Sequence, residues 1–146
     1  MNLNNETVKL LEECLIGCKT AIDSMEIMLE EIDNQGLIKT INEYKDQHHN
    51  IHTKITTLLV NENEPDKQPT VMKQAMTYFT TKTKLLINQD NNQESAKIMM
   101  NGCNMGIQSL AKYLNQYPYA NEKAIKITKD LIALEEDLMK DMEKYL

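Results

Sequence analysis

Asn34-Gln35-Gly36 is a short polar break between two long segments whose apolar residues recur in alternating steps of three and four. This spacing is typical of an α-helix that buries one face. We predict helices over residues 5–33 and 36–62, with Gly36 or Asn34 in the left-handed conformation that closes the first helix. Because the connection is short, the two helices must run antiparallel and form a hairpin.

A second pair of periodic segments, residues 92–117 and 121–145, is separated at Pro118, where the first of them must end. Between the two pairs lie a polar connection over 61–69, which contains two prolines, and a shorter amphipathic segment that predicts a helix over 70–88. No segment alternates as a strand does, so the chain is predicted to be all-α. Two antiparallel hairpins joined by a helical crossover form a ferritin-like four-helix bundle, and the alternative is a plain up-down bundle of five helices.

The composition limits the classes of partner. A length of 146 residues suits one domain, so 1–146 is predicted to be a single bundle. The net charge is −6 and none of the sixteen basic residues is arginine, the best side chain for recognising phosphates and bases, so no nucleic-acid partner is expected. Neither a signal-peptide pattern nor an apolar run of about 18 residues appears, which favours a cytoplasmic protein without membrane association. An odd number of cysteines without a CxxC pair argues against a disulfide framework.

The helix order, together with the stretch Met99-Met100-Asn101-Gly102-Cys103-Asn104-Met105-Gly106 leading to Tyr113, resembles a known family. It is similar to the ferritin-like bacterial helical-bundle proteins of unknown function that neighbour the rubrerythrins, and the resemblance covers nearly the whole chain. Some ferritin-like spore-coat proteins look similar in the same way. The resemblance implies a bacterial protein with a ferritin-like fold.

Ferritin-like oxidases hold two irons with one Glu from each of two helices and a Glu-x-x-His pair from each of the other two. The segment 92–117 offers no inward carboxylate, and Leu138 follows Glu135 at the position where a histidine belongs. We therefore expect no complete di-iron centre. A weaker hypothesis keeps an iron-binding oxidase whose ligands are Glu13, Glu43, His49 and Glu135.

All three histidines lie within five residues of the second predicted helix. Its apolar seam places His48 inward, His52 beside the seam and His49 to one side. Reflecting the first helix through the turn places Cys18 near the height of His52, and a helix over 92–117 parallel to the second one brings Cys103 to the level of His48. These two thiolates and two imidazoles would suit a tetrahedral zinc site. The alternative is that His48 and the cysteines only pack in the core.

Two glycines, Gly102 and Gly106, interrupt a predicted helix, where each costs about 0.5–1 kcal/mol relative to alanine. One interpretation is the close approach of another helix, or room for a large side chain such as His48 or Tyr44. The other is a small cavity for a ligand, and Gly17 of the first helix would face the same region.

Carboxylates crowd the last predicted helix, and the simplest interpretation is a solvated face formed by Glu135, Glu136, Asp137, Asp141 and Glu143. No nucleophile stands beside a base, and no glycine-rich loop could hold a phosphate. The first hypothesis is therefore a non-enzymatic bundle that acts through protein contacts, with a homodimer or another protein as its partner. The alternative is a metal-binding protein that holds zinc or iron through His48 and His52.

Overall fold

The computed structural model describes residues 3–60 and 91–146, and in these two ranges the chain is helical and contains no strand. The all-α prediction is confirmed for this part of the chain. Its helices are α1 (Asn5–Leu29), α2 (Gln35–Leu59), α3 (Asn91–Gln116) and α4 (Glu122–Met142), and a 3-10 turn follows at Glu143–Tyr145. The predicted connection 61–69 and the predicted helix 70–88 lie outside the described residues.

The turn between α1 and α2 differs from the prediction. The helix α1 ends at Leu29, and the backbone N–H groups of Glu30 and Glu31 close it by donating to the carbonyls of Ile27 and Met28 respectively. No described residue has a positive φ, so the left-handed closure predicted for Gly36 or Asn34 was wrong. Because the last carbonyls of α1 find these donors, no left-handed residue is needed to satisfy them.

Asparagines begin three of the helices. Asn4, Asn34 and Asn121 precede α1, α2 and α4, and the side-chain oxygen of each accepts from a backbone N–H three residues later, at 2.8, 3.0 and 2.9 Å respectively. Such caps satisfy donors that the first helical turn leaves without partners. The predicted start of the last helix at Asn121 is therefore confirmed.

Contacts between α2 and α4 fix the direction of these two helices. Tyr44 donates its hydroxyl to Asp141 over 2.6 Å, and one turn further along α2 the His48 ring meets Glu135. The sequence numbers rise on α2 while they fall on α4, so the two helices are antiparallel.

The helices α1 and α4 run parallel. The backbone N–H of Asn121 donates to Thr7 over 2.8 Å, and Cys14 contacts Thr128 over 3.2 Å, so both helices advance together. Since α1 pairs with α2 and α3 pairs with α4 in antiparallel hairpins, α2 and α3 also share a direction.

The core lies between the two hairpins and contains large aliphatic and thioether side chains. Its fully buried members include Leu10, Leu11, Met25, Met28, Leu37, Ile41, Ile55, Leu131, Leu138 and Met142. Flexible methionines fill irregular space between the helices, as their abundance in the sequence predicts. Among the described residues, no helix combines the length and apolarity that crossing a membrane requires.

The Asn34 cap provides a test of the turn. We expect Asn34→Ala to lower the free energy of unfolding by about 1 kcal/mol, because the N–H of Leu37 loses its acceptor. Chemical denaturation monitored by circular dichroism measures the change. Asn34→Asp keeps a capping oxygen and serves as the matched control. Equal stability of the alanine variant and the parent would contradict the cap.

Candidate functional site

His48 is the most buried ionisable group of the site, with none of its surface exposed. Its Nδ1 lies 2.7 Å from the carbonyl oxygen of Tyr44, one turn earlier on α2. A carbonyl oxygen can only accept, so Nδ1 carries a proton and donates it. The other ring nitrogen, Nε2, contacts Oε1 of Glu135 on α4.

A second proton lies between His48 and Glu135, because Nε2 and a carboxylate oxygen cannot bond without one. Burial lowers the pKa of His48, but the hydrogen bond to Glu135, its negative charge and the Tyr44 carbonyl together raise the pKa above its ordinary value. At neutral pH this favours a buried imidazolium paired with a carboxylate.

Glu135 was predicted to lie on a solvated face, and this prediction was wrong, because only 7% of the residue is exposed. The other four acids of that predicted face, Glu136, Asp137, Asp141 and Glu143, are exposed. The sequence did carry the signal, since position 135 lies four residues after Leu131 and three before Leu138, on the buried stripe of α4. The buried positive partner on α2 explains why an acid is tolerated there.

The three cysteines are buried and unpaired. Burial, then the charge of Glu135 and a hydrogen bond to its carboxylate, raise the pKa of Cys103 far above its ordinary value. Burial, the neighbouring Cys14 and the charge of Glu135 likewise raise the pKa of Cys18. Burial raises the pKa of Cys14 to about 11, although its contact with Thr128 opposes this shift. All three groups are therefore protonated thiols at neutral pH.

A cavity of about 120 Å³ lies between α1 and α3, and α4 forms its floor. Gly17, Gly102 and Gly106 all line it, as the cavity interpretation of the helical glycines requires, and a ligand in it stays a prediction. A Cβ atom on Gly106 would lie 3.9 Å from Oε2 of Glu135, and one on Gly17 would lie 4.0 Å from a methyl carbon of Leu131. On the floor of the cavity, the apolar side chain of Leu131 thus lies beside the carboxylate of Glu135.

Among the described residues, two charged groups line this cavity. They are Glu13 and Glu135, and Tyr113 donates a hydrogen bond to Glu13. Burial raises the pKa of Glu13, while the bond from Tyr113 opposes the shift. Burial, with the charge of Glu13 and the bond to it, raises the pKa of Tyr113 to about 12. Thr20 also lines the cavity, and its hydroxyl is buried without a hydrogen-bond partner in this structure.

The residues of the predicted zinc set make other contacts in this structure. Both ring nitrogens of His48 form hydrogen bonds, one with the Tyr44 carbonyl and one with Glu135. Burial and the charge of Glu135 raise the pKa of the thiols of Cys18 and Cys103. His52 is partly exposed at the flank of α2, where burial and the charges of His49 and Lys19 lower its pKa. Within 3–60 and 91–146, no three His, Cys, Asp or Glu side chains form a group that could hold a metal ion.

The weaker iron set, Glu13, Glu43, His49 and Glu135, is also not assembled in this structure. Glu43 and His49 are exposed on α2, whereas Glu135 is buried on α4 and Glu13 lines the cavity from α1. The stripe of α2 that faces the core carries His48 instead, because it continues the series Leu37, Ile41 and Tyr44. Metal binding by either set therefore stays a prediction.

The buried pair makes stability depend on pH. Since the pKa of His48 is raised in the folded state, its stabilisation is complete below about pH 6.5 and is lost as pH rises through the folded pKa. We expect the free energy of unfolding to fall by up to about 1.4 kcal/mol per pH unit in that window. Urea denaturation between pH 6 and 9 measures this slope.

The matched variants for this test are His48→Gln and His49→Gln. The first should be less stable and should lose the His48 contribution to the slope, whereas the second changes an exposed residue and should keep it. A wild-type slope that persists unchanged in His48→Gln would refute the charged pair.

Comparisons with known proteins add no relative to this description. No protein-family model, curated protein or solved structure matches the chain. The candidate site is therefore defined by its own geometry: a buried carboxylate, held by a histidine of the other hairpin, at the floor of a small cavity lined by glycines.

Proposed function

We propose that this protein is a non-enzymatic helical bundle that binds a small molecule in the cavity between α1 and α3. The observation that carries the proposal is the cavity itself, which is largely apolar and has one carboxylate fixed by a buried partner. Binding sites for small molecules commonly combine an apolar lining with a few well-placed polar groups.

The glycines that line the cavity support a binding role. Alanine at Gly17 or Gly106 would reach only ordinary van der Waals contact and would improve helix propensity. The sequence thus keeps a space that single methyl groups could begin to fill.

The state of the candidate nucleophiles also favours binding over catalysis. The thiols of Cys14, Cys18 and Cys103 are buried and protonated, so they are poor nucleophiles. His48 donates a hydrogen bond from Nδ1 to the Tyr44 carbonyl of its own helix, and its Nε2 bonds with Glu135. It is placed to hold a carboxylate in position.

The proposal includes a ferritin-like arrangement of the helices. Its support is that α1 and α4 share one direction while α2 and α3 share the other, which agrees with two antiparallel hairpins joined by a crossover. A bacterial protein in the cytoplasm, with a homodimer or another protein as partner, stays a prediction.

Zinc or iron binding is the alternative function. It would use His48 and His52 with Cys18 and Cys103, and it requires the two thiols to lose their protons and His48 to leave Glu135. We therefore expect elemental analysis of protein purified without a metal-affinity tag to find far less than one zinc or iron per chain. One tightly bound metal per chain would instead establish the alternative.

Filling the cavity tests the proposed function. We expect the wild-type protein to bind 1-butanol in the millimolar range, with shifts in ¹H–¹⁵N NMR spectra confined to cavity residues. Gly106→Leu places a side chain in the cavity and should abolish these shifts. Ala111→Leu introduces the same side chain at an exposed position of α3 and should bind as the wild type does.

A circular dichroism spectrum shows whether Gly106→Leu still folds, and Gly106→Ala offers a smaller change whose Cβ lies at ordinary contact distance. Binding that is unaffected by both Gly106 variants, or wild-type protein that shows no cavity shifts, would refute the proposed function.

A further inference from the structure

We propose that the ligand of this cavity is a small primary amine whose ammonium group pairs with the carboxylate of Glu135. The inference rests on the proposed function and adds the chemical class of the ligand. It follows from the charge, the fixed geometry and the unused hydrogen-bonding capacity of the cavity wall.

The charge of the wall comes first. Glu13 and Glu135 line the cavity, and among the residues that the structure describes no lysine or histidine does. The imidazolium of His48 lies behind Glu135 and balances one of the two carboxylates. The described part of the wall then keeps one net negative charge, which a single ammonium group neutralises and which repels an anionic ligand.

Glu135 is held in place before any ligand arrives. Its Oε1 is bound by Nε2 of His48, and the histidine is in turn fixed by the Tyr44 carbonyl. Its Oε2 lies beneath α3 at Gly106, where the missing side chain leaves the approach to this oxygen open. A carboxylate fixed in this way loses little freedom when it accepts a hydrogen bond.

An ammonium group also matches the remaining polar atoms. It has three donors and no acceptor. Glu135 supplies one acceptor, and Thr20, a lining residue whose buried hydroxyl oxygen has no partner in this structure, offers another. Glu13 lies about two helical turns away and contributes its negative charge. An alcohol has a single donor, and a carboxylate has none.

The volume limits the apolar part of the ligand. A dry cavity of about 150 Å³ accepts benzene, and this one measures about 120 Å³. Gly17, Ala21 and Leu131 provide an apolar surface for a short hydrocarbon chain. An amine with about four carbons fits both the space and the wall.

Three four-carbon probes that differ in their head groups test the inference: n-butylamine, 1-butanol and butyrate. We expect NMR titration at pH 7 to show n-butylamine binding about tenfold or more tightly than 1-butanol, since a charge-assisted bond replaces a neutral one. Butyrate should not bind. Glu135→Gln should reduce the affinity for n-butylamine to that for 1-butanol, while Glu136→Gln, an exposed neighbour, should change neither.

The head-group ranking on the wild-type protein stands even if Glu135→Gln does not fold, and Glu13→Gln then provides a second variant with a weaker expected loss. If 1-butanol binds as tightly as n-butylamine, the amine inference is overturned while the proposed function survives. If none of the three probes binds, both are overturned.

Discussion

The buried pairing of His48 with Glu135 is the constraint on which the arrangement of the two hairpins depends. The two residues lie 87 positions apart in sequence and join α2 to α4. A slip of α4 by one turn would bring Leu131 or Met139 toward His48 and leave two buried ionisable groups unpaired. Breaking such a pair costs about 3–5 kcal/mol, a large part of the roughly 5–15 kcal/mol by which domains are typically stable. The pair therefore selects one register of the hairpins, even if an apolar pair of similar volume would pack as tightly.

The cavity depends on the same pair. A carboxylate on the buried stripe of α4 needs polar neighbours, and those that it has are the His48 ring and the Cys103 thiol. On its remaining side Glu135 faces the cavity, because α3 has glycine and no larger residue at positions 102 and 106. A larger residue at 106 would press against the carboxylate. The acid, its histidine and the glycines form one unit, and the space between α1 and α3 is a consequence of all of them.

Much of the scaffold follows from sequence periodicity, because amphipathic helices of about 25 residues leave a strong signal. The inward direction of His48 was predictable for the same reason, and the three glycines indicated a cavity before its position was known. The turn at Asn34 was harder, because asparagine serves equally well at either end of a helix.

Glu135 shows why the centre of the site was missed. Four acids that follow it in the sequence are exposed, and composition favoured grouping Glu135 with them, although its position relative to Leu131 and Leu138 is a core position. The decision between these interpretations depends on a partner on another helix, 87 residues away, which local patterns do not contain. The predicted ligand sets failed to assemble for a related reason. The side of α2 on which His52 and His49 lie keeps them away from the core.

The three buried thiols can report when the helices around them separate. A cysteine with a raised pKa and no exposed surface reacts with a thiol reagent only when the helices around it separate. Cys103 lines the cavity, whereas Cys14 lies between α1 and α4 in contact with Thr128. Modification at Cys103 alone marks a local displacement of α3, and modification at both marks separation of the core. The unaltered sequence thus distinguishes access to the cavity from unfolding without any added label.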